Sequence, residues 1–359
     1  MKYSNVLRAP NIAPPFIARQ EENGIVIVRL CDALRDEMEQ EFAFRGYIRG
    51  DEEPQIAHLK SVLSQLVGAY GVEFLNRISN GAYGEGVVVF ENLPFERVDW
   101  SPLPGEPPHS AKPTSLSEHV ILAFSSFFGD AYGIAKEGDR LVNELIPTRG
   151  DLDRYTGRGS RRTLGMHYEN AALRFLYPGK DLSPKGVLLS GVSAQKFNGP
   201  KTPVAIASRA IALLPEWAVK VLRSPCTKIA LPERQRVPGN DTQEVGPVPV
   251  ILGPMGKEEV VAAFYGDMMR PITAQADKAL LLLHEKLDEV AVHLEVKPGV
   301  LAYISNGRVL HGRTGFDPVI DGDGRAERWL HRVFVTGRLD AFLERRKLTD
   351  RVFDVSLAP

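Results

Sequence analysis

His167 and Glu169, in the run Gly165-Met166-His167-Tyr168-Glu169-Asn170, place an imidazole and a carboxylate two residues apart. On an extended strand alternate side chains share a face, so the two project together. Such a pair is two-thirds of a facial metal site, and the third ligand must come from elsewhere. The constraint on the fold is therefore strong: distant strands have to meet. The candidate third ligand is His311, in Asn306-Gly307-Arg308-Val309-Leu310-His311-Gly312-Arg313. Two imidazoles and one carboxylate suit non-haem Fe(II), with positions left for a co-substrate and oxygen. A lone His-x-Glu pair arises often by chance, so its surroundings have to support it.

The surroundings are rich in extended segments. Gly24–Leu30, Gly86–Phe90, Arg140–Ile146, Gly186–Val192, Thr202–Ala207, Val248–Leu252, Val260–Tyr265, Val300–Ser305 and Trp329–Gly337 read as strands. Helical spacing appears over Ala57–Leu66, His119–Phe128, Ser208–Leu222 (interrupted by Pro215) and Ala274–Leu294. His58 reads as a core or boundary histidine, and His284 and His293 as structural or surface residues. Gly129–Glu137 reads as a turn-rich link, and the tail from Leu339 to Pro359 as helix plus coil. Gly150–Thr163 is polar, Arg/Gly-rich and precedes the His167/Glu169 pair, which makes it a candidate lid. Strands around the pair with helices at the flanks suit an antiparallel barrel or sandwich with helical buttresses, mostly β, better than repeated βαβ units.

Composition excludes other classes. The formal net charge of -1 over 359 residues supplies no basic field for nucleic acid and no polybasic tract for a membrane. The Pro-rich start, 1–20, lacks the apolar run of a secretory signal, and Cys31 and Cys226 read as reduced thiols. The expected location is cytoplasmic.

Arg328-Trp329-Leu330-His331-Arg332 adds a second element: alternation puts Arg328 and Arg332 on one strand face, where two guanidiniums call for anionic partners. In order, His167-x-Glu169, Thr202, Asn306 to His311-Gly312-Arg313 and Arg328-Trp329-Leu330-x-Arg332 resemble the clavaminate synthase-like, taurine dioxygenase-type Fe(II)/2-oxoglutarate-dependent oxygenases. The likeness runs from about residue 86 to about 340 and is greatest to the branch that hydroxylates free L-amino acids in natural-product biosynthesis, among them arginine, asparagine and lysine hydroxylases.

The resemblance implies one oxygenase domain over 1–359 with a double-stranded β-helix (jelly-roll, cupin-like) core at about 86–340. A buttress at 1–85, a lid at 150–163 and an insertion at about 205–258 would surround it. It implies Fe(II) on His167, Glu169 and His311, and 2-oxoglutarate on Arg328 with help from Thr202; Arg325 stands as a rival to Arg328. It implies the substrate α-carboxylate on Arg332 and the α-amine on Asn143 or Glu144. The arginine hydroxylases carry two aspartates in the segment matching Phe264–Met268; here only Asp267 remains, as a candidate partner for a cationic side chain. The implied reaction uses O2 to hydroxylate an unactivated C–H, at C3 or C4, of a free basic or polar L-amino acid, with CO2 and succinate as co-products. Glu169 argues against halogenation, where a small residue replaces the carboxylate. The alternatives are desaturation or another oxidation of an amino acid or a small taurine-like or peptidyl substrate, and, more remotely, a non-catalytic jelly-roll binding protein.

Overall fold

Four apolar runs, Val87–Glu91, Gly186–Ser193, Val300–Ser305 and Trp329–Thr336, are buried almost end to end. Burial without interruption means that both sheet faces are covered. The computed structural model describes residues 14–47, 49–236 and 243–356. Residues 1–13 of the Pro-rich start, 237–242 of the insertion and 357–359 of the tail lie outside the described residues.

Numbered along the chain, β1 (Phe16–Gln20), β2 (Val26–Leu30), β3 (Val87–Glu91), β4 (Asp130–Ile134) and β5 (Asn143–Leu145) belong to a nine-stranded sheet. β6 (Leu164–His167) belongs to a second sheet. β7 (Gly186–Ser193) returns to the first, and β8 (Thr202–Ile206) to the second. β9 (Thr227–Ala230), β10 (Glu244–Val248) and β13 (Met269–Pro271) form a small sheet of their own, while β11 (Ile251–Leu252) pairs with β12 (Glu259–Val260). β14 (Val292–Leu294) and β16 (Val309–Arg313) complete the second sheet; β15 (Val300–Ser305), β17 (Trp329–Thr336) and β18 (Val352–Phe353) complete the first.

Side-chain alternation decides what each face meets. Leu301 and Tyr303 of β15, Leu188 of β7, and Val333 and Val335 of β17 pack outward under α1 (Asp32–Phe42), α2 (Glu52–Ser79) and α3 (Leu116–Phe128). Ala302, Ile304, Val187, Leu189 and Phe334 point the other way, onto Val204, Ile206 and Val309 of the second sheet. The two sheets therefore face each other, and even-numbered residues of β17 look into the space between them. The far side of the second sheet is covered by α4 (Ala207–Ala212), α5 (Glu216–Leu222) and α6 (Ala274–Glu289).

Several sequence expectations change. Gly129–Glu137 contains β4, whose alternation is disguised by Gly133 and whose Tyr132 and Ile134 are core residues. The strand expected at Arg140–Ile146 shortens to Asn143–Leu145. The helix expected to reach Leu294 stops at Glu289, because Val292–Leu294 pairs with β8 instead. Val260–Tyr265 is not a strand beyond Val260; it runs irregularly beside β6, with Tyr168 N–H on Ala262 O (2.7 Å) and Phe264 N–H on Met166 O (2.9 Å). The approach is so close that a Cβ at Gly165 would stand 1.9 Å from Phe264 O. His58 is exposed, one position off the buried stripe Ile56, Leu59, Leu63 and Val67 of α2. In the tail, Leu339–Phe342 is a single 3-10 turn and β18 pairs in parallel with β4.

At the start of α2, Glu52 is fully buried, with Asp350 accepting from the backbone N–H of Glu52 (3.3 Å) and of Glu53 (2.8 Å). Burial pushes the Glu52 carboxyl up to about 7, and Asp350 adds to the shift. A carboxyl raised above its unfolded value keeps its full stability below that value and loses it as pH rises through the folded one. Glu52→Gln should accordingly stabilise the protein by about 2 kcal/mol more at pH 8 than at pH 5. Urea unfolding at the two pH values checks this, and an equal effect at both would contradict it.

Candidate active site

β6 and β16 are antiparallel neighbours whose register sets His167 directly opposite His311. Their ring centroids are 4.4 Å apart. β6 ends at His167, so Glu169 lies in a turn and not on the strand; the chain bends at Asn170 in the left-handed region (φ 56°). Asn306 holds that turn in place. Its Oδ1 accepts from Glu169 N–H (2.9 Å), and its Nδ2 donates to Glu169 O (3.2 Å) and Pro184 O (2.8 Å). Glu169 Oε2 comes to 3.7 Å from His311 Nε2, and one donor atom from each of the three buried residues lies within 4.8 Å of the others.

The protonation states suit a divalent cation. His167 Nδ1 donates to Gly165 O (2.9 Å), which fixes the tautomer and leaves the Nε2 lone pair free. Burial, with the neighbouring His311, holds the His167 imidazole down to about 3, so it is neutral. Burial alone would raise the Glu169 carboxyl, but Arg332 and the two histidines hold it well below the usual range. Two imidazoles and a carboxylate on one side fit Fe(II). Because Asn306 orients Glu169 through its backbone, Asn306→Ala should weaken Fe(II) affinity by roughly 10–100-fold. Anaerobic metal titration measures this, and unchanged affinity would remove Asn306 from the site.

Four residues before Arg332 lies another buried guanidinium. Arg328 is buried, and its Nη1 has no hydrogen-bond partner. Its guanidinium lies 5.5 Å over the Phe316 ring. Burial, then the charge of Arg313, bring it down to about 9. An uncompensated buried guanidinium is a receptor for a carboxylate. Arg313 is two residues beyond His311 on β16, or about 7 Å along the strand, a span that a short dicarboxylate can bridge. Thr202, at the start of β8, is buried and shares the inward face of Val204, which pairs with His311. Arg325 is exposed, its backbone N–H tied to Asp321 (2.8 Å), so it does not compete with Arg328.

No family model matches the chain. An L-asparagine oxygenase of Streptomyces coelicolor is 28% identical over 252 residues, covering 70% of this chain and 71% of that protein. Clavaminate synthase 2 of Streptomyces clavuligerus is 25% identical over 256 residues, covering 70% and 74%. A crystal structure of asparagine oxygenase with Fe(II), (2S,3S)-3-hydroxyasparagine and succinate superposes with a TM-score of 0.78 at 25% identity, covering 92% of this chain and 99% of that one.

The chain is an Fe(II)/2-oxoglutarate-dependent oxygenase, similar to asparagine oxygenase and clavaminate synthase.

In this oxygenase Arg332, which the sequence singled out, is paired beside the triad with Glu137, which it did not. Arg332 Nη2 donates to Glu137 Oε2 (2.7 Å), and its Nη1 lies 3.5 Å from Glu169 Oε2. Glu137 Oε1 accepts from Arg234 and from Gln235 Nε2 (3.2 Å), and Gln235 in turn reaches Asn170 Oδ1 (3.2 Å). Glu137, Arg234 and Gln235 sit in turns, where no periodicity marks an inward-facing side chain.

Asn143 pairs with Arg332 across β5 and β17 and is buried, with both amide atoms unpartnered. Glu144, one residue on, faces away from the iron side. It lies 3.1 Å from His331 Nδ1 and accepts from Trp329 Nε1. Glu118, Glu144 and His331 also gather donor atoms. There, however, the Lys112 ammonium already sits among the carboxylates, reaching Glu118, Ser117 Oγ (2.6 Å) and Glu96 (3.4 Å). Asp267 is 69% exposed and lies 3.9 Å from Arg270, so it faces solvent and not the site.

The segment 150–163 is tied to β16 and to the ring beside His167. Arg313 Nη1 and Nη2 donate to the carbonyls of Thr156 (3.4 Å), Gly159 and Arg162 (2.7 Å). Tyr155 stacks on Tyr265, whose ring meets His167 edge-on at 5.4 Å.

Proposed function

We propose that the oxygenase hydroxylates an unactivated C–H, at C3 or C4, of a free L-amino acid, and that its two facing sheets form a double-stranded β-helix. The observation that carries the substrate reading is the buried Arg332–Glu137 pair beside the His167, Glu169 and His311 donors. A guanidinium and a carboxylate, both buried and adjacent, match the α-carboxylate and α-ammonium of a zwitterion. The asparagine oxygenase relative, seen with its hydroxylated amino acid and succinate, supports the same reading.

His167, Glu169 and His311 would hold Fe(II). Arg328 would take the distal carboxylate of 2-oxoglutarate, with Thr202 beside it. Bound iron with 2-oxoglutarate and O2 supplies the oxidising power, and one oxygen atom goes to the substrate while the other leaves in succinate, with release of CO2. The chain's own residues orient and exclude water. Arg332 and Glu137 fix the α-carbon, Asn143 offers an amide donor and acceptor beside them, and the 150–163 segment with Tyr155 and Tyr265 screens the His167 side from solvent.

A panel of L-amino acids with Fe(II), 2-oxoglutarate and O2 tests the reading, with succinate release and product mass as readouts. A gain of one oxygen is expected, whereas loss of two hydrogens would indicate desaturation. N-acetyl and α-amide derivatives of the best substrate should be inert, because each removes one charge that the clamp needs. Equal turnover of the blocked derivatives would overturn the zwitterion reading.

A further inference from the structure

We propose that the substrate's side chain is anionic and that Arg234 is the residue that recognises it. This inference rests on the amino-acid reading above and narrows it.

Arg234 lies in the 3-10 turn Glu233–Gln235 that follows β9 and brings the insertion to the site. Its guanidinium donates to Glu137 Oε1, on the opposite carboxylate oxygen from Arg332. The Glu137 side chain is 1% exposed, but that of Arg234 is 31% exposed. Arg234 thus stays partly accessible while it is bound to Glu137, the carboxylate it shares with Arg332. Its neighbour Gln235 donates to Asn170 Oδ1 (3.2 Å), the residue after Glu169, which ties this turn to the triad.

Charge balance then decides the class of side chain. Glu169 belongs to the metal. The charges that the bonded cluster brings together beside Glu169 are Arg332, Arg234 and Glu137, two positive and one negative. A bound zwitterion places its carboxylate on Arg332 and its ammonium on Glu137, so Glu137 is shared and Arg234 is left in excess. A neutral side chain leaves that excess standing. A cationic side chain doubles it, and the carboxylate that would meet it, Asp267, points to solvent on Arg270. A side-chain carboxylate cancels it and can pair with the accessible part of the guanidinium. In a water-poor pocket, truncating one partner of such a pair lowers affinity by roughly 100-fold or more.

The competing account is that Arg234 only secures Glu137 and the insertion. The test uses the Fe(II)-loaded full chain with L-Asp, L-Glu, L-Asn, L-Gln, L-Lys and L-Arg, comparing wild type with Arg234→Gln and Arg234→Lys. The wild type should prefer an acidic amino acid over its amide by roughly 100-fold in kcat/KM. Arg234→Gln should erase that preference mainly through KM, and Arg234→Lys should restore part of it. The thermal melt of each variant, with the partial rescue by lysine, separates recognition from misfolding. An amide or basic amino acid as the best substrate overturns the inference and leaves the amino-acid reading intact. A uniform loss across all six substrates in Arg234→Gln also overturns it, in favour of the securing role. Turnover of no amino acid at all overturns both.

Discussion

Replacing His311 by alanine should abolish tight Fe(II) binding and reduce turnover to background while the fold survives. His311 sits opposite His167 in the β6–β16 register, and its Nε2 faces Glu169. Its Nδ1 is buried without a partner, so its loss strands no other group. Two donors cannot replace the three that a facial site supplies. The drop in metal affinity should therefore exceed the roughly 10–100-fold that loss of a supporting hydrogen bond produces. Removing a well-packed side chain from β16 should lower stability by no more than about 2–4 kcal/mol. Anaerobic Fe(II) titration, succinate release and a thermal melt give the three readouts. Full iron affinity in this variant would refute the ligand set, and loss of the folded signal would call for the same measurements on His311→Gln.

The residues that sequence reasoning placed well are those carried by regular strands. His167, His311, Arg328 and Arg332 lie at or beside strand positions, where a period of two fixes the face and a motif fixes the spacing. By the same rule Asn143 and Glu144, adjacent on β5, point oppositely, and pairing with Arg332 sends Asn143 inward. Glu169 was legible by type but not by backbone, since it reaches the site from a turn that Asn306 clamps. Glu137, Arg234 and Gln235 were not legible, because turns carry no periodic signal and their partners are distant in sequence. Asp267 shows the opposite failure. A carboxylate near the right motif was visible, but the irregular path after Val260 and the pull of Arg270 turn it outward. Of the fold, the buried apolar runs gave the central strands. The short pairings of β4, β14 and β18 arise from neighbours that no local pattern records.

Arg328→Met should raise the KM for 2-oxoglutarate by roughly 100-fold or more and, at the same time, make the protein without 2-oxoglutarate more stable. The two effects share one cause. Arg328 carries a buried charge with an unpartnered Nη1, brought down to about 9 by burial and by Arg313. A base whose folded value is depressed binds fewer protons in the native state between that value and its ordinary, higher one, so stability rises with pH across that window. Below about 9 the whole penalty is present. Methionine fills similar volume without charge, and replacing an uncompensated buried ion by an apolar group stabilises by roughly 1–4 kcal/mol. Wild type should recover that deficit when the dicarboxylate binds: a ligand at 100 times its Kd adds about 2.7 kcal/mol. The Fe(II)-loaded wild type should thus melt higher with 2-oxoglutarate, whereas Arg328→Met should start higher and respond little. A variant that melts lower than wild type at pH 7.5 without 2-oxoglutarate would mean that Arg328 has a protein partner. A variant that keeps the wild-type KM would move the 2-oxoglutarate carboxylate elsewhere, with Arg313 the next guanidinium on the same face.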